Sequence, residues 1–169
     1  MKKMNHIDPS NHKTIKKLGD RYNIKRLTPG DEKILDHLGL EEPDFDLKGR
    51  GSPLKPLNPE DSRLYLENPN LIHWVAVEDN LVIGHLLCFI LPLRNNDRKE
   101  LILYEIGVRS SYRRKGVGSA LINHMYGWMD EHKVGFVWVL ADNSDAAEFY
   151  KTQGFECDKP QPLYMFHKV

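Results

Sequence analysis

The sequence predicts one mixed α/β domain, and three observations carry that prediction. From Tyr22 onward, runs rich in β-branched and large apolar residues alternate with segments of helical period, as expected of strands and helices sharing a core. Two of the runs, 71–77 and 81–93, are separated only by Glu78-Asp79-Asn80, which reads as an antiparallel hairpin. A third run, 100–108, leads through a basic glycine loop into a helix, so the sheet mixes hairpins with at least one parallel crossover.

Residues 1–20 carry Lys2, Lys3, Lys13, Lys16 and Lys17 with few apolar partners, which predicts a flexible basic arm ahead of a single domain over 21–169. A first strand is expected over 22–27. Thr28 and Pro29 supply a cap residue and a first-turn proline for a helix reaching Leu40, stopped by Gly39 and Pro43. A long loop follows over 41–56. Asn58-Pro59-Glu60-Asp61 opens a short second helix that ends before Pro69. After the three central strands, Val117, Ala120, Leu121, Met125, Trp128 and Met129 recur at helical spacing. A strand over 134–140, a short helix over 144–152 and one or two final strands over 155–169, around Pro160 and Pro162, complete the chain. Trp74, Trp128 and Trp138 fall on apolar faces and are expected in the core.

Composition narrows the partner. Among 169 residues, 24 Lys and Arg balance 24 Asp and Glu, so the chain lacks the excess positive charge that binding to nucleic acid or an anionic membrane draws on. A small-molecule partner is expected. No apolar run approaches the roughly 18 residues of a membrane span, and the polar N-terminus is unlike a signal peptide, which predicts a cytoplasmic protein. Cys88 and Cys157 show no paired spacing and are expected to be reduced and structural. His124 and His132 lie two helical turns apart with no nearby cysteine, so no metal site is expected.

The chemical signal lies in Arg113-Arg114-Lys115-Gly116-Val117-Gly118. At a helix N-terminus the first amides lack intrahelical partners, the helix dipole favours negative charge, and glycine lets a diphosphate approach the main chain. Neither the phosphate-loop nor the dinucleotide glycine pattern is present. Arg113-x-x-Gly116-x-Gly118 does match the Arg/Gln-x-x-Gly-x-Gly/Ala signature of GNAT N-acetyltransferases. A second pattern of that family follows at the expected distance: Asn143-x-x-Ala146-x-x-Phe149-Tyr150-x-x-x-Gly154-Phe155. The runs Leu81-Val82-Ile83-Gly84-His85-Leu86-Leu87, Leu103-Tyr104-Glu105-Ile106-Gly107-Val108 and Val139-Leu140-Ala141-Asp142 further resemble gentamicin-type aminoglycoside 3-N-acetyltransferases over about half the chain.

The resemblance implies a six- to seven-stranded, mostly antiparallel sheet flanked by about four helices and splayed between its fourth and fifth strands. It implies acetyl-CoA as cosubstrate, with pantetheine on the main chain of Ile106, Gly107 and Val108. The pyrophosphate would be wrapped by Arg113, Arg114, Lys115, Gly116, Val117, Gly118 and Ser119, and the cofactor arm would meet Asn143, Ala146 and Tyr150. Direct transfer to an amine needs a proton acceptor and a proton donor. Glu105, in the central strand beside the implied acetyl position, is the candidate base, and Tyr150 the candidate acid. Asp142 and the acids of the 31–46 stretch, Glu41, Glu42 and Asp44 among them, would attract a cationic acceptor such as an aminoglycoside. A homodimer is implied as well. The alternatives are a polyamine, protein Lys or N-terminal acceptor, or a CoA-binding regulator without catalysis.

Overall fold

A computed structural model describes residues 21–45, 52–94, 99–157, 159 and 165–168. The basic arm expected over 1–20, and much of the final strand region expected over 155–169, lie outside those residues. The described residues form one sheet in sequential order: β1 (Asn23–Arg26), β2 (Leu71–Glu78), β3 (Leu81–Pro92), β4 (Lys99–Val108) and β5 (Phe136–Val139). Each of the first four strands is antiparallel to its neighbours among them, and β5 runs parallel to β4. Five strands therefore stand, among the described residues, where six to seven were expected; residues 155–157 and 165–168 are not strand.

The helices are α1 (Glu32–Leu40), α2 (Glu42–Phe45), α3 (Pro59–Glu67), α4 (Val117–His132) and α5 (Ser144–Thr152), with one 3-10 turn at Ser110–Tyr112. The helix beyond the expected four is α2, a single turn inside the stretch read as loop. Pro43 sits in its first turn, where its missing N–H has no intrahelical partner to lose.

Two caps teach opposite lessons. Asn58 accepts a hydrogen bond from Asp61 N at 2.9 Å and Pro59 follows it, as the sequence predicts for α3. Ahead of α1 the expected cap Thr28 is replaced by Asp31, three residues on. Thr28-Pro29-Gly30 instead makes a turn, with Gly30 at φ 104°, and the Asp31 carboxylate reaches back to Thr28 N (3.0 Å) and Lys25 Nζ (2.5 Å).

The sheet is covered on both faces. Toward α4 it buries Ile72, Trp74, Leu86, Cys88, Leu101 and Leu103 against Leu121, Ile122 and Met125. Toward α1, α2 and α3 it buries Leu27, Val75 and Val82 against Leu38, Phe45 and Leu66. Burial of each large side chain contributes about 1.5–3 kcal/mol, which is what lets the alternating apolar runs hold the sheet between its helices. Trp74 is in this core and Trp128 at its margin, whereas Trp138 is half-buried on β5 outside it, which corrects the expectation of a core position. Cys88 is buried, but Cys157 is exposed, which removes the structural role expected of it.

Gly84 sits under α4, where a Cβ would come within 2.8 Å of Val117 Cγ1, so glycine at this position lets the helix N-terminus lie directly on the sheet. No helix among the described residues is long and apolar enough to cross a membrane.

Candidate active site

β4 changes character along its length. Its first half is paired on both sides, with β3 and, from Glu100↔Phe136 to Leu103↔Val139, with β5. Past Leu103 the β5 pairing stops, while β4 continues to Val108 along β3. On the side of β5, the main chain of Tyr104, Glu105, Ile106, Gly107 and Val108 has no strand partner among the described residues, and the groove opened where β5 leaves β4 borders a strand edge ready to pair with an extended ligand. The transition coincides with a bulge: Leu87 pairs Glu105 while Cys88 pairs Leu103, leaving Tyr104 as the extra residue, two-thirds exposed. Simple alternation along 100–108 misses this shift. It keeps Leu103 and Ile106 both toward α4 and turns Glu105 and Gly107 to the opposite face.

The groove runs into the glycine loop. Arg114 (φ 59°) and Gly116 (φ 82°) both adopt left-handed backbone, and Gly116 caps α4 without any side-chain hydrogen bond. The first amides of α4, at Val117, Gly118 and Ser119, are therefore open to an anion. At Gly118 a Cβ would lie 3.2 Å from Phe149 and 3.6 Å from Val108, so glycine there lets α4, α5 and β4 converge at the groove's end. The basic side chains are partly used within the protein. Arg113 donates through Nε to Val108 O and through a terminal nitrogen to Phe45 O, both at 3.0 Å, and the Lys115 ammonium lies 5.1 Å from the centre of the Tyr112 ring.

On the face toward α1–α3, the side chain of Glu105 is partly buried. Its pKa is raised, first by burial and then by the negative charge of Glu42, which favours proton uptake by a carboxylate. Beside it, Tyr65 Oη lies 3.0 Å from His73 Nδ1, and His73 Nε2 lies 3.3 Å from His85 Nδ1. Burial, above all, drives the pKa of both rings down, His73 to about 3 and His85 to about 4, so both are neutral at physiological pH.

The acidic lip of α1 and α2 is anchored to the end of β4. The Arg109 guanidinium pairs with Glu41 and, at 2.6 Å, with Asp44, while its Nε donates to Val82 O at 3.0 Å. Ser110 Oγ adds a 2.9 Å bond to Asp44 O. Of the three lip acids expected to meet the acceptor, Glu41 and Asp44 are engaged by Arg109; Glu42 is the one whose charge reaches Glu105.

On the other face, Tyr150 is buried beside Phe149 and Phe155. Its pKa is pushed up to about 12 by burial and then by Asp142, Cys88 and Glu105, so its O–H remains a donor. The groove consequently has an acid-sensitive carboxylate on one face of β4 and a protonated phenol on the other. Asn143 is the cap of α5: its Oδ1 accepts from Ala146 N at 2.8 Å, and its Nδ2 donates to Asp142 Oδ1 at 2.7 Å. A cleft of about 670 Å³ lined by Lys25, His37, Glu41, Asp79 and Asn80, among others, includes neither Glu105 nor Tyr150.

The fold thus gathers Glu105, Ile106, Gly107, Val108, the glycine loop and Tyr150 around one groove. The sequence patterns do not single out Arg109, Tyr65 or His73, and His85 enters only within the 81–87 run. The available signal was polar: two histidines inside otherwise apolar strands, whose pairing needs the β2–β3 register to become visible.

The model of the acetyltransferase (GNAT) family matches residues 38–155. An uncharacterized N-acetyltransferase of Methanocaldococcus jannaschii is 34% identical over 77 residues, 44% of this chain and 34% of that protein. A probable N-acetyltransferase of Drosophila melanogaster is 33% identical over 87 residues, 48% of this chain and 45% of that one. The matched regions thus span between a third and a half of these curated relatives. Among solved structures, an aminoglycoside acetyltransferase from an uncultured soil metagenomic sample, in complex with sisomicin, superposes with a TM-score of 0.75 at 22% identity, over 90% of this chain and 99% of that one. A ribosomal-protein-alanine N-acetyltransferase from Brucella melitensis gives 0.65 at 17% identity, over 86% and 99%. At these identities the structural likeness speaks for the fold.

Proposed function

The chain belongs to the GNAT acetyltransferase family, and from that premise we propose that it is an acetyl-CoA-dependent N-acetyltransferase acting on a primary amine of a small cationic acceptor. The observation that carries the proposal is the edge of β4 from Tyr104 to Val108, which has no strand partner on its β5 side among the described residues, together with the α4 N-terminus, which no side chain caps. An extended, amide-bearing arm ending in a diphosphate has the shape and chemistry that such a surface recognises.

The residues present fit that cosubstrate. The main chain of Ile106, Gly107 and Val108 offers peptide groups to the pantetheine arm. The backbone amides of Val117, Gly118 and Ser119 would hold the pyrophosphate, with Arg114 and Lys115 adding positive charge. Asn143 and Ala146, at the start of α5, would lie beside the arm. When bound, acetyl-CoA supplies an acetyl group already activated as a thioester. Glu105, its pKa raised by burial and Glu42, takes a proton from the acceptor's ammonium so that the nitrogen lone pair becomes available. Tyr150, protonated at neutral pH, keeps an O–H on the α4 side of the groove that would donate to the leaving thiolate. Backbone N–H near Val108 polarises the carbonyl.

For the acceptor, we favour an aminoglycoside amino group. Glu42, Glu105 and Asp142 provide negative charge on either side of the groove, and the fold matches that of aminoglycoside acetyltransferases. The test is thiol release from acetyl-CoA against aminoglycosides, polyamines and Lys peptides, beside thermal shift with CoA. Turnover on aminoglycosides is the expected result. Turnover confined to peptides would replace the acceptor, and CoA stabilisation without turnover on any amine would replace the enzyme with a CoA-binding regulator.

A further inference from the structure

Helices α1–α3 cover only part of their face of the sheet. Strand alternation identifies the side chains beyond them. Leu101, Leu103, Val137 and Val139 belong to the core toward α4, so Ile102 and Trp138, which pair across β4 and β5, turn to the opposite face. Phe89 pairs with Ile102 from the other side and shares that face. Together with Tyr104, these three stand outside both buried cores of the described residues. At the far end of the strip Glu100 pairs with Leu91 and with Phe136, whose ring is exposed.

The bulge in β4 brings this strip to Glu105. Regular pleating sends consecutive residues to opposite faces, but Leu103 and Ile106 both pack toward α4, so Tyr104 and Glu105 both turn away from it. The Tyr104 ring meets that of Phe89 at 90° with centroids 5.4 Å apart, in agreement with a shared face. It is nonetheless 67% exposed. A large ring next in sequence to the candidate base, braced by one neighbour and otherwise open to solvent, contributes little to the core and is free to meet a ligand.

We propose that Tyr104, Phe89 and Trp138 form a stacking platform for the acceptor, an amino sugar whose ring lies on Tyr104 while one of its amino groups reaches Glu105, an inference that rests on the acetyl-transfer reading above. The C–H groups on one face of a saturated sugar ring fit the electron-rich face of an aromatic ring, and the same face attracts an ammonium on its way to the base. Carboxylates bound the strip at both ends. Glu105 stands at one, with the charge of Glu42 reaching it, and Glu100 at the other, on the order of 15 Å away along the strand. A skeleton of rings between separated ammonium groups matches that spacing of apolar surface and negative charge. A linear polyamine carries the charges without a ring to stack, and a single lysine side chain offers only one of them. Another part of this chain or a second copy lying on the strip would bury the ring beside Glu105 and close the way to the base, which is why continuity with the groove favours the acceptor as occupant.

The test joins kinetics of Tyr104→Leu and Tyr104→Phe with NMR of the tyrosine-labelled full chain. Tyr104→Leu should raise the KM for kanamycin at least about tenfold while the KM for acetyl-CoA moves by less than about twofold, and Tyr104→Phe, which keeps the ring, should restore most of the loss. Spermidine, as substrate or as competitor, should respond to neither variant by more than about twofold. In the NMR arm, the C–H protons of kanamycin should show Overhauser contacts to the Tyr104 ring, whose signals are identified by their loss in Tyr104→Phe. A wild-type KM in Tyr104→Leu would overturn the platform, as would an equal loss with spermidine or no recovery with phenylalanine. Contacts of the free protein's Tyr104 ring to another part of the chain or to a second copy would overturn it too. Should Tyr104→Leu fold poorly, the NMR arm decides. Wild-type turnover of kanamycin with an unaffected Tyr104→Leu sinks the platform alone, whereas a wild-type chain that turns over no amine removes the acetyl-transfer reading and the platform with it.

Discussion

Toward α4 the sheet presents Ile72, Leu86, Cys88 and Leu103 to Leu121, Ile122 and Met125, each at most 1% exposed, with no charge among them. Toward α1–α3 the same strands present His73, His85 and Glu105 beneath Phe45 and Tyr65. The first face draws its stability from area removed from water, which no proton can alter in the physiological range. The second buries groups whose charged forms the interior penalises, so its stability depends on pH and its chemistry is poised. One face is a foundation, and the other is where reactivity can be tuned without disturbing it.

The sharpest way to separate the faces is Glu105→Gln. Its carboxylate should be worth on the order of 10²–10⁴ in kcat, and the acid limb of the rate profile, titrating above the ordinary 4.5, should disappear while the melting temperature barely moves. Leu121→Ala should do the reverse. Truncating a fully buried leucine costs about 2–5 kcal/mol in denaturant unfolding, with the residual activity keeping its wild-type pH dependence.

Acid should act on the polar face through its two buried histidines. The folded pKa values of His73 and His85 lie below the unfolded value of 6.5, so between those limits the unfolded chain binds more protons and stability falls as pH drops. The loss begins below pH 6.5 and continues toward about 4 for His85 and about 3 for His73, at up to roughly 1.4 kcal/mol per pH unit for each ring. Urea unfolding at a series of pH values should give that slope, and a double His→Gln chain should flatten it. A smaller effect, about 1–3 kcal/mol, is expected of Gly107→Ala, whose methyl group meets the His85 ring. Unfolding of Gly107→Ala in the His85→Gln background should recover much of that loss if the collision is with the imidazole.

Legibility in the sequence followed the same division. The apolar strands, the long amphipathic α4 and the glycine loop were readable because each depends on residues adjacent in the chain. The span of α5 was too, from Ser144 to Thr152, with Asn143 ahead of it. Thr28 was misread as a cap because Pro29-Gly30 can either open a helix or make a turn, and the bond from Lys25 to Asp31 favours the turn. The one-turn α2 is missed because four residues cannot show a period, and what holds it in place is tertiary: Phe45 buried in the core and Arg109, Ser110 and Arg113 reaching across to it.

By itself, the sequence determined the order of the strands and of every helix but α2, since these follow from periodicity within contiguous segments; the glycine loop and the candidate pair Glu105 and Tyr150 came as expectations from the resemblance its motifs carry. Only the tertiary structure decided that β5 leaves β4 at Leu103, that Tyr104 is a bulge, that Glu41 and Asp44 belong to Arg109, and that two histidines meet. Those outcomes depend on register and on side chains brought together from separate elements, and neither is written in the spacing of any single segment.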